Sequence, residues 1–575
     1  MDVVSLDRCS YLPPNKKVCI FLTLSSLPKF CASSPTFISV MEAAGFVRLR
    51  AAYVHRYSGF DPSITRYSFQ RRWCDTDLTL ASTVAATGLT CCYQKKKEVE
   101  SIHDHDDAHT IKIFDTDGCS LLGIRDAQMV NELEPFCSEY AFIFYQVLVE
   151  VRWFLQLSES PEIKEVPTFS QETRTFLENI IHEFNENEAY EIKKIEEAVT
   201  NHDVKAVVHY LKLKCKSHPE VSKALDFFHF GCTSEDIHNL AYSLLVKNAL
   251  NNVMFPVMHD LCKALYTLGK DNLHVPIPAH IHPQLASPTT LGKKMAICAF
   301  RLDNWAQQMT EVSIFGKCAG VVGKCNDQNI VYPEIVWTQI AEELVTSLGL
   351  QYNPYATKIE SHHYMVELFD NMLGFNNVLL DFTKDVWTYI SLGYFKQMTK
   401  GGQVGSFTMP HEFDPANFGN CHSNFLMAKA AIAASMNVST FERDVTDIFA
   451  SFTWLGLTHS LVAYKKSLHE IKMLQVNESR LSEELEKNWV VLAETIQTAM
   501  RIYAVPEPSY ETLKELTRGE VDKESISFFI RNLDLPEEEK LNLLNLIPHS
   551  YTGEAENLAI SIDEALGLLS VFKIK

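Results

Sequence analysis

A chain of 575 residues exceeds what one hydrophobic core usually supports, so about two to four domains are expected. Apolar residues make up 46% and charged residues 22%, proportions that exclude a mostly disordered protein. A formal charge of −20 argues against nucleic acid as a partner, because phosphate-backbone binding draws on clustered Lys and Arg, but it allows an anionic metabolite held in a local cationic pocket.

Residues 1–110 differ from the rest. They hold six of the fifteen cysteines and a run from Lys95 to Asp107 that begins basic and ends acidic and histidine-rich. Among the first fifty residues the only acids are Asp2, Asp7 and Glu42. That balance suits an organelle-targeting leader, and equally a poorly ordered extension or a misread first exon. No stretch reaches about 18 apolar residues free of charge, so no membrane span is expected. With neither a CxxC pair nor an HExxH motif, nothing supports a metal site, and the cysteines from Cys119 onward read as scattered thiols of a reducing compartment.

From about Leu121 the pattern turns helical. Met254, Met258, Leu261, Leu265 and Leu268 recur at three- and four-residue intervals, which places them on one helix stripe, and Leu240 and Leu244 start a similar stripe on the far side of Pro256. Such stripes are read as core or subunit packing. Pro256 should kink the helix between them. Pro276, Pro278, Pro283 and Pro288 predict a rigid loop, with a new helix from about Thr289. Further helices are expected over Ser361–Thr399, Phe425–Ser435 and Asp444–Leu474. The Gly- and Pro-bearing segment from Gly401 to Asn420 lies between the first two, where a loop can carry functional groups on a rigid frame. From Ser482 a smaller helical domain is expected, punctuated by Pro506, Pro508, Pro536 and Pro548.

Several blocks stand out in order. They are Thr200-Asn201-His202-Asp203-Val204-Lys205-Ala206, His229-Phe230-Gly231-Cys232-Thr233-Ser234-Glu235-Asp236, Ser287-Pro288-Thr289-Thr290-Leu291-Gly292-Lys293, and Gly405-Ser406-Phe407-Thr408-Met409-Pro410-His411, with LKELTRG over residues 513–519. Together they resemble the adenylosuccinate lyase branch of the fumarase/aspartase superfamily, in its bacterial and plant form, over residues 111–570. The resemblance implies an all-α subunit with a long central helical bundle, divided at 111–225, 226–466 and 467–575. It also implies a homotetramer with shared active sites, a nucleotide substrate bearing a succinyl group, and no metal or organic cofactor.

Eliminating an amine across a carbon–carbon bond needs a base for the carbon-bound proton, an acid for the leaving nitrogen, and donors for the carboxylate charge that builds between them. By resemblance Ser406 is the base and His282 the acid, and Gly405, Thr408, Met409, Pro410 and His411 complete the signature loop. His202, Asp203, Lys205, His229, Thr233, Ser234, Asn326, Lys358 and Arg443 fall at substrate-binding positions. Thr233 or Ser234 could instead cap a helix beginning near Glu235, and Arg443 with Asp444 could form a structural pair.

The chain also departs from the family pattern. Cys119 and Ser120 stand where an arginine and tyrosine are expected, and Glu197 and Ala198 displace an arginine with one residue apparently inserted. Ile281 and Pro283 flank His282 in place of threonine and glycine. Phe407 replaces a serine, Glu412 a lysine, Asp414 an asparagine, Gln328 a histidine, Lys358 a glutamine and Thr440 an arginine. These losses of positive charge open an alternative, a noncatalytic lyase-fold homologue acting as a structural or partner subunit. For location, the composition leaves plastid and cytoplasm open.

Overall fold

The helical periodicities appear as long helices in a computed structural model, which describes residues 126–281, 284–320, 323, 325–398, 416–436, 446–519 and 521–562. Helix α1, Glu139–Ser158, is capped by Ser138, whose hydroxyl accepts the Ala141 N–H at 3.2 Å. Helices α2, Gln171–His182, and α3, Glu186–Ile195, follow. A π turn over Glu196–Thr200 then leads into α4, Asp203–Cys215.

Helix α5, Ser234–Ala249, runs through a second π turn, Leu250–Met254, into α6, Phe255–Asp271. The wide turn sits directly before Pro256, whose ring would otherwise clash with the carbonyl four residues back; a π turn is one of the ways a helix absorbs that conflict. Met254, Met258, Leu261 and Leu265 are fully enclosed, as a core stripe requires, and each such side chain contributes about 1.5–3 kcal/mol.

The proline-rich segment is not a loop. It forms a hairpin of β1, Pro276–Ile281, and β2, Gln284–Thr290, and its register slips between Ile277 and Ala279. Pro278 and Pro288 occupy that irregularity, where a missing N–H breaks no ladder bond. Thr290 ends the hairpin and caps α7, Leu291–Glu311, by accepting the Lys293 N–H at 3.1 Å.

Strand β3, Phe315–Gly316, pairs in parallel with β4, Gln351–Tyr352, across α8, Asn326–Val331, and α9, Trp337–Ser347. Then come α10, His363–Ser391, β5, Phe395–Gln397, α11, Ala416–Met436, and α12, Thr446–Met473, with β6, Leu474–Val476, returning to β5. At 1.5 Å per residue, the 29 residues of α10 extend about 43 Å. Helix α6 packs on α7, α7 on α10, α10 on α11, α11 on α12, and α12 back on α6, so the long helices enclose one another's apolar faces. A buried bridge ties two of them, with Asn376 Nδ2 donating to Ser460 Oγ at 3.0 Å and Tyr464 Oη to Asn376 Oδ1 at 2.5 Å.

The C-terminal helices α13, Glu478–Lys487, α14, Ala493–Ile502, α15, Glu507–Leu516, α16, Lys523–Arg531, α17, Glu537–Asn545, and α18, Ala555–Ile560, include a separate core around Leu492, Ile496, Ile526, Ile530 and Leu543. Pro506 and Pro536 stand immediately before α15 and α17, where a proline costs no helical hydrogen bond. Among the described residues no helix is long and apolar enough to cross a membrane.

Candidate active site

Helix α1 carries polar residues on its buried side. Gln146 and Glu150 are fully buried, and a spacing of four puts them on one helix face. Helix α1 packs against both α4 and α5, whose N-terminal ends carry the histidine-bearing blocks.

At the start of α4, Asp203 gathers the first cluster. Its Oδ2 accepts from Gln146 Nε2 at 2.8 Å and lies 2.7 Å from His238 Nε2. Its Oδ1 is 3.1 Å from His202 Nδ1, and His202 Nε2 is 3.2 Å from Ser234 Oγ. Burial works against the Asp203 carboxylate, but His238, the Val204 N–H and Gln146 together hold its carboxyl well below the usual range. Its contribution to stability is therefore present above the ordinary carboxylate pKa and lost as pH falls through the depressed one. A π turn over Glu196–Thr200 leads into this cluster.

The second cluster surrounds the turn before α5. His229 Nδ1 lies 2.6 Å from Glu150 Oε1. Burial disfavours the imidazolium, but the hydrogen bond and charge of Glu150, with the charge of Asp236, raise the His229 pKa above its ordinary value. His229 and Gly231 both have left-handed backbones, with φ of +63° and +67°. A Cβ at Gly231 would overlap the Gln328 side chain, whose Nε2 donates to the Gly231 carbonyl at 2.7 Å. Trp153 Nε1 fixes the same turn by donating to the Phe230 carbonyl at 3.0 Å.

Beneath it, Asp236 joins α5 to the segment after β3. Its Oδ1 meets Lys317 Nζ at 2.8 Å and the Ala319 N–H at 3.0 Å, while Oδ2 accepts from Thr233 at 2.8 Å and Gly320 at 3.1 Å. Both side chains of the ion pair are wholly enclosed. Thr233 is thus the N-cap residue of α5 and Ser234 its first residue, the capping arrangement the sequence left open.

The structure brings His202, Asp203 and Ser234 together, with His229 and Thr233 in the adjoining turn. Lys205 is exposed on the first turn of α4, and Lys358 is exposed in the loop between β4 and α10. Asn326 opens α8 directly after Cys325, which is left-handed at φ +48°. Ser406, His282, Arg443, Gly405, Thr408, Met409, Pro410 and His411 lie outside the described residues.

Residues 136–426 match the family described as "Lyase", and residues 439–552 match "Adenylosuccinate lyase C-terminal". Adenylosuccinate lyase of Escherichia coli K12 is 43% identical over 436 residues, 75% of this chain and 95% of that protein. The chain belongs to the adenylosuccinate lyase family. The enzyme of that name from Haemophilus influenzae is likewise 43% identical over 439 residues, covering 76% of this chain and 96% of its own. Among solved structures, 3-carboxy-cis,cis-muconate lactonizing enzyme of Pseudomonas putida superposes with a TM-score of 0.60 at 16% identity, over 76% of this chain and 97% of its own. A fumarate lyase from Mesorhizobium sp. BNC1 gives 0.59 at 16%, with the same coverage. At that identity the two structures bear on the fold alone.

Within this adenylosuccinate lyase family member, sequence reading passed over Gln146, Glu150, Asp236, His238 and Lys317. Spacing alone could not single out the first two, since Arg152 and Gln156 on the same helix are also four apart and only partly buried. Gln328 was read as a lost histidine, yet here its amide has a defined task on the Gly231 turn.

Proposed function

We propose that this chain eliminates fumarate from adenylosuccinate, giving AMP, and from succinylaminoimidazole carboxamide ribotide, in purine nucleotide biosynthesis. The observation that carries this reading is 43% identity spread over 95% of the E. coli adenylosuccinate lyase. Ser406 takes the carbon-bound proton, the carbon–nitrogen bond breaks, and His282 protonates the leaving nitrogen. His202, His229, Thr233 and Ser234 hold the nucleotide, with Asp203, Lys205, Asn326, Lys358 and Arg443 in support. Divisions at 111–225, 226–466 and 467–575 serve this scheme, the central part building a homotetramer in which subunits share sites. The acid-poor first fifty residues support plastid delivery as the alternative to a cytoplasmic location.

Fumarate release from purified wild-type protein is expected with both substrates, and Ser406→Ala should slow it at least about a hundredfold. Wild-type turnover no higher than that of the variant would refute the assignment and leave the noncatalytic reading. Light scattering should give four times the subunit mass at micromolar concentration; a strictly monomeric species would remove both the tetramer and the shared site.

A further inference from the structure

Glu150 is wholly enclosed on α1, and its Oε2 meets no hydrogen-bond partner among the described residues. A carboxylate so placed costs several kcal/mol unless an opposite charge faces it. The group that faces its other oxygen is Nδ1 of His229, at 2.6 Å. The backbone around that histidine is held on two sides, by Trp153 on the Phe230 carbonyl and by Gln328 on the Gly231 carbonyl. A left-handed conformation at a residue other than glycine costs roughly 1–2 kcal/mol, and such a conformation persists only where its surroundings over-determine it. With Nδ1 engaged, Nε2 of His229 meets no hydrogen-bond partner among the described residues, and the side chain keeps 26% of its surface open. It lies close in sequence to Thr233 and Ser234 at the N-terminus of the 16-residue α5, where the helix dipole favours an anion.

We propose that Glu150 is a positioning residue that keeps His229 as an imidazolium, so that its Nε2–H donates to the phosphate of the nucleotide. The inference rests on the lyase reading given above. Two further charged or titratable groups act on His229, both from α5. Asp236 favours the positive ring but is committed to Lys317, and His238 opposes it while bound through Nε2 to Asp203. Glu150 is thus the acceptor available to the ring itself.

The test uses AMP and adenosine, which differ only by the phosphate, titrated calorimetrically into full-length wild type and Glu150→Gln. Glutamine keeps an oxygen that can accept from Nδ1–H and removes the charge. The variant should lose about tenfold in AMP affinity while adenosine changes less than about twofold, since a charge-assisted bond to phosphate is lost and the rest of the site is not. In turnover the loss should fall chiefly on KM. In the wild type the preference for AMP should persist above the ordinary imidazole pKa and fall as pH rises through the elevated one. Titration of the phosphate cannot mimic this, because its dianion grows with pH. An unchanged AMP-to-adenosine ratio in Glu150→Gln, or a ratio flat with pH in the wild type, overturns the inference. If the variant does not fold, the wild-type pH series decides alone. Wild-type turnover with an unchanged ratio sinks this inference only, whereas a wild type without turnover or nucleotide binding sinks the lyase reading too.

Discussion

Replacing Lys317 by methionine is expected to destabilise the protein by about 3–5 kcal/mol. The Lys317 ammonium and the Asp236 carboxylate are both sealed from water and meet at 2.8 Å. Methionine matches the volume of the stem but leaves the carboxylate with only the backbone donors of Thr233, Ala319 and Gly320. An uncompensated buried charge is the costly case, whereas removing both charges is often close to neutral. The double variant Lys317→Met/Asp236→Asn should therefore recover at least half of the loss. Urea unfolding at one fixed protein concentration measures this, the concentration being fixed because assembly adds to apparent stability. A Lys317→Met midpoint equal to that of the wild type would show that the pair contributes nothing. Because Asp236 also fixes Thr233, the single variant should lose nucleotide affinity along with stability.

The second large effect concerns Glu412, which lies outside the described residues and occupies a lysine position in the family pattern. Negative charge develops on the succinyl portion during elimination, so a carboxylate facing it opposes the transition state. Unit charges about 4 Å apart at an effective dielectric near 20 interact by roughly 4 kcal/mol. Exchanging repulsion for attraction through Glu412→Lys is then expected to raise kcat/KM by at least about tenfold, and by up to about a thousandfold if half of the full difference survives screening. Full recovery is not expected, because groups acting as one catalytic unit are not additive and Pro283 and Thr440 remain. Steady-state kinetics at fixed ionic strength compare the wild type, Glu412→Lys and a multiple revertant. Gln328 should be left intact in that revertant, since its amide holds the Gly231 turn. Equal binding and turnover in folded wild type and Glu412→Lys would mean that Glu412 does not face the substrate.

Much of the frame was legible along the chain. The stripe expected from Met254 to Leu268 is buried as far as Leu265, and Leu268 is half-buried. The helices expected over Ser361–Thr399, Phe425–Ser435 and Asp444–Leu474 appear as His363–Ser391, Ala416–Met436 and Thr446–Met473. For the first of these, the difference in bounds arises because apolar spacing marks the buried face of a helix and not where its last hydrogen bond falls. The prolines near the hairpin misled for a related reason. Proline forbids a central strand, but a two-stranded ribbon with a bulge has positions that need no N–H, and which positions those are depends on the partner strand.

The candidate site divides along the same line. His202, Asp203, His229, Thr233 and Ser234 could be named from their blocks, because catalytic and binding motifs keep their residue types together in sequence. What they do to one another could not. Gln146 meets Asp203 across 57 residues, and Glu150 meets His229 across 79. By itself the sequence determined the family and the helical class, since helical periodicity and motif order are local properties of the chain. Only the tertiary structure decided that Asp203 is held ionised among His238, Gln146 and the Val204 N–H, that Glu150 faces His229, and that Asp236 is paired with Lys317. Those states depend on desolvation and on charges a few ångströms away through space, which arise only once separate helices have packed.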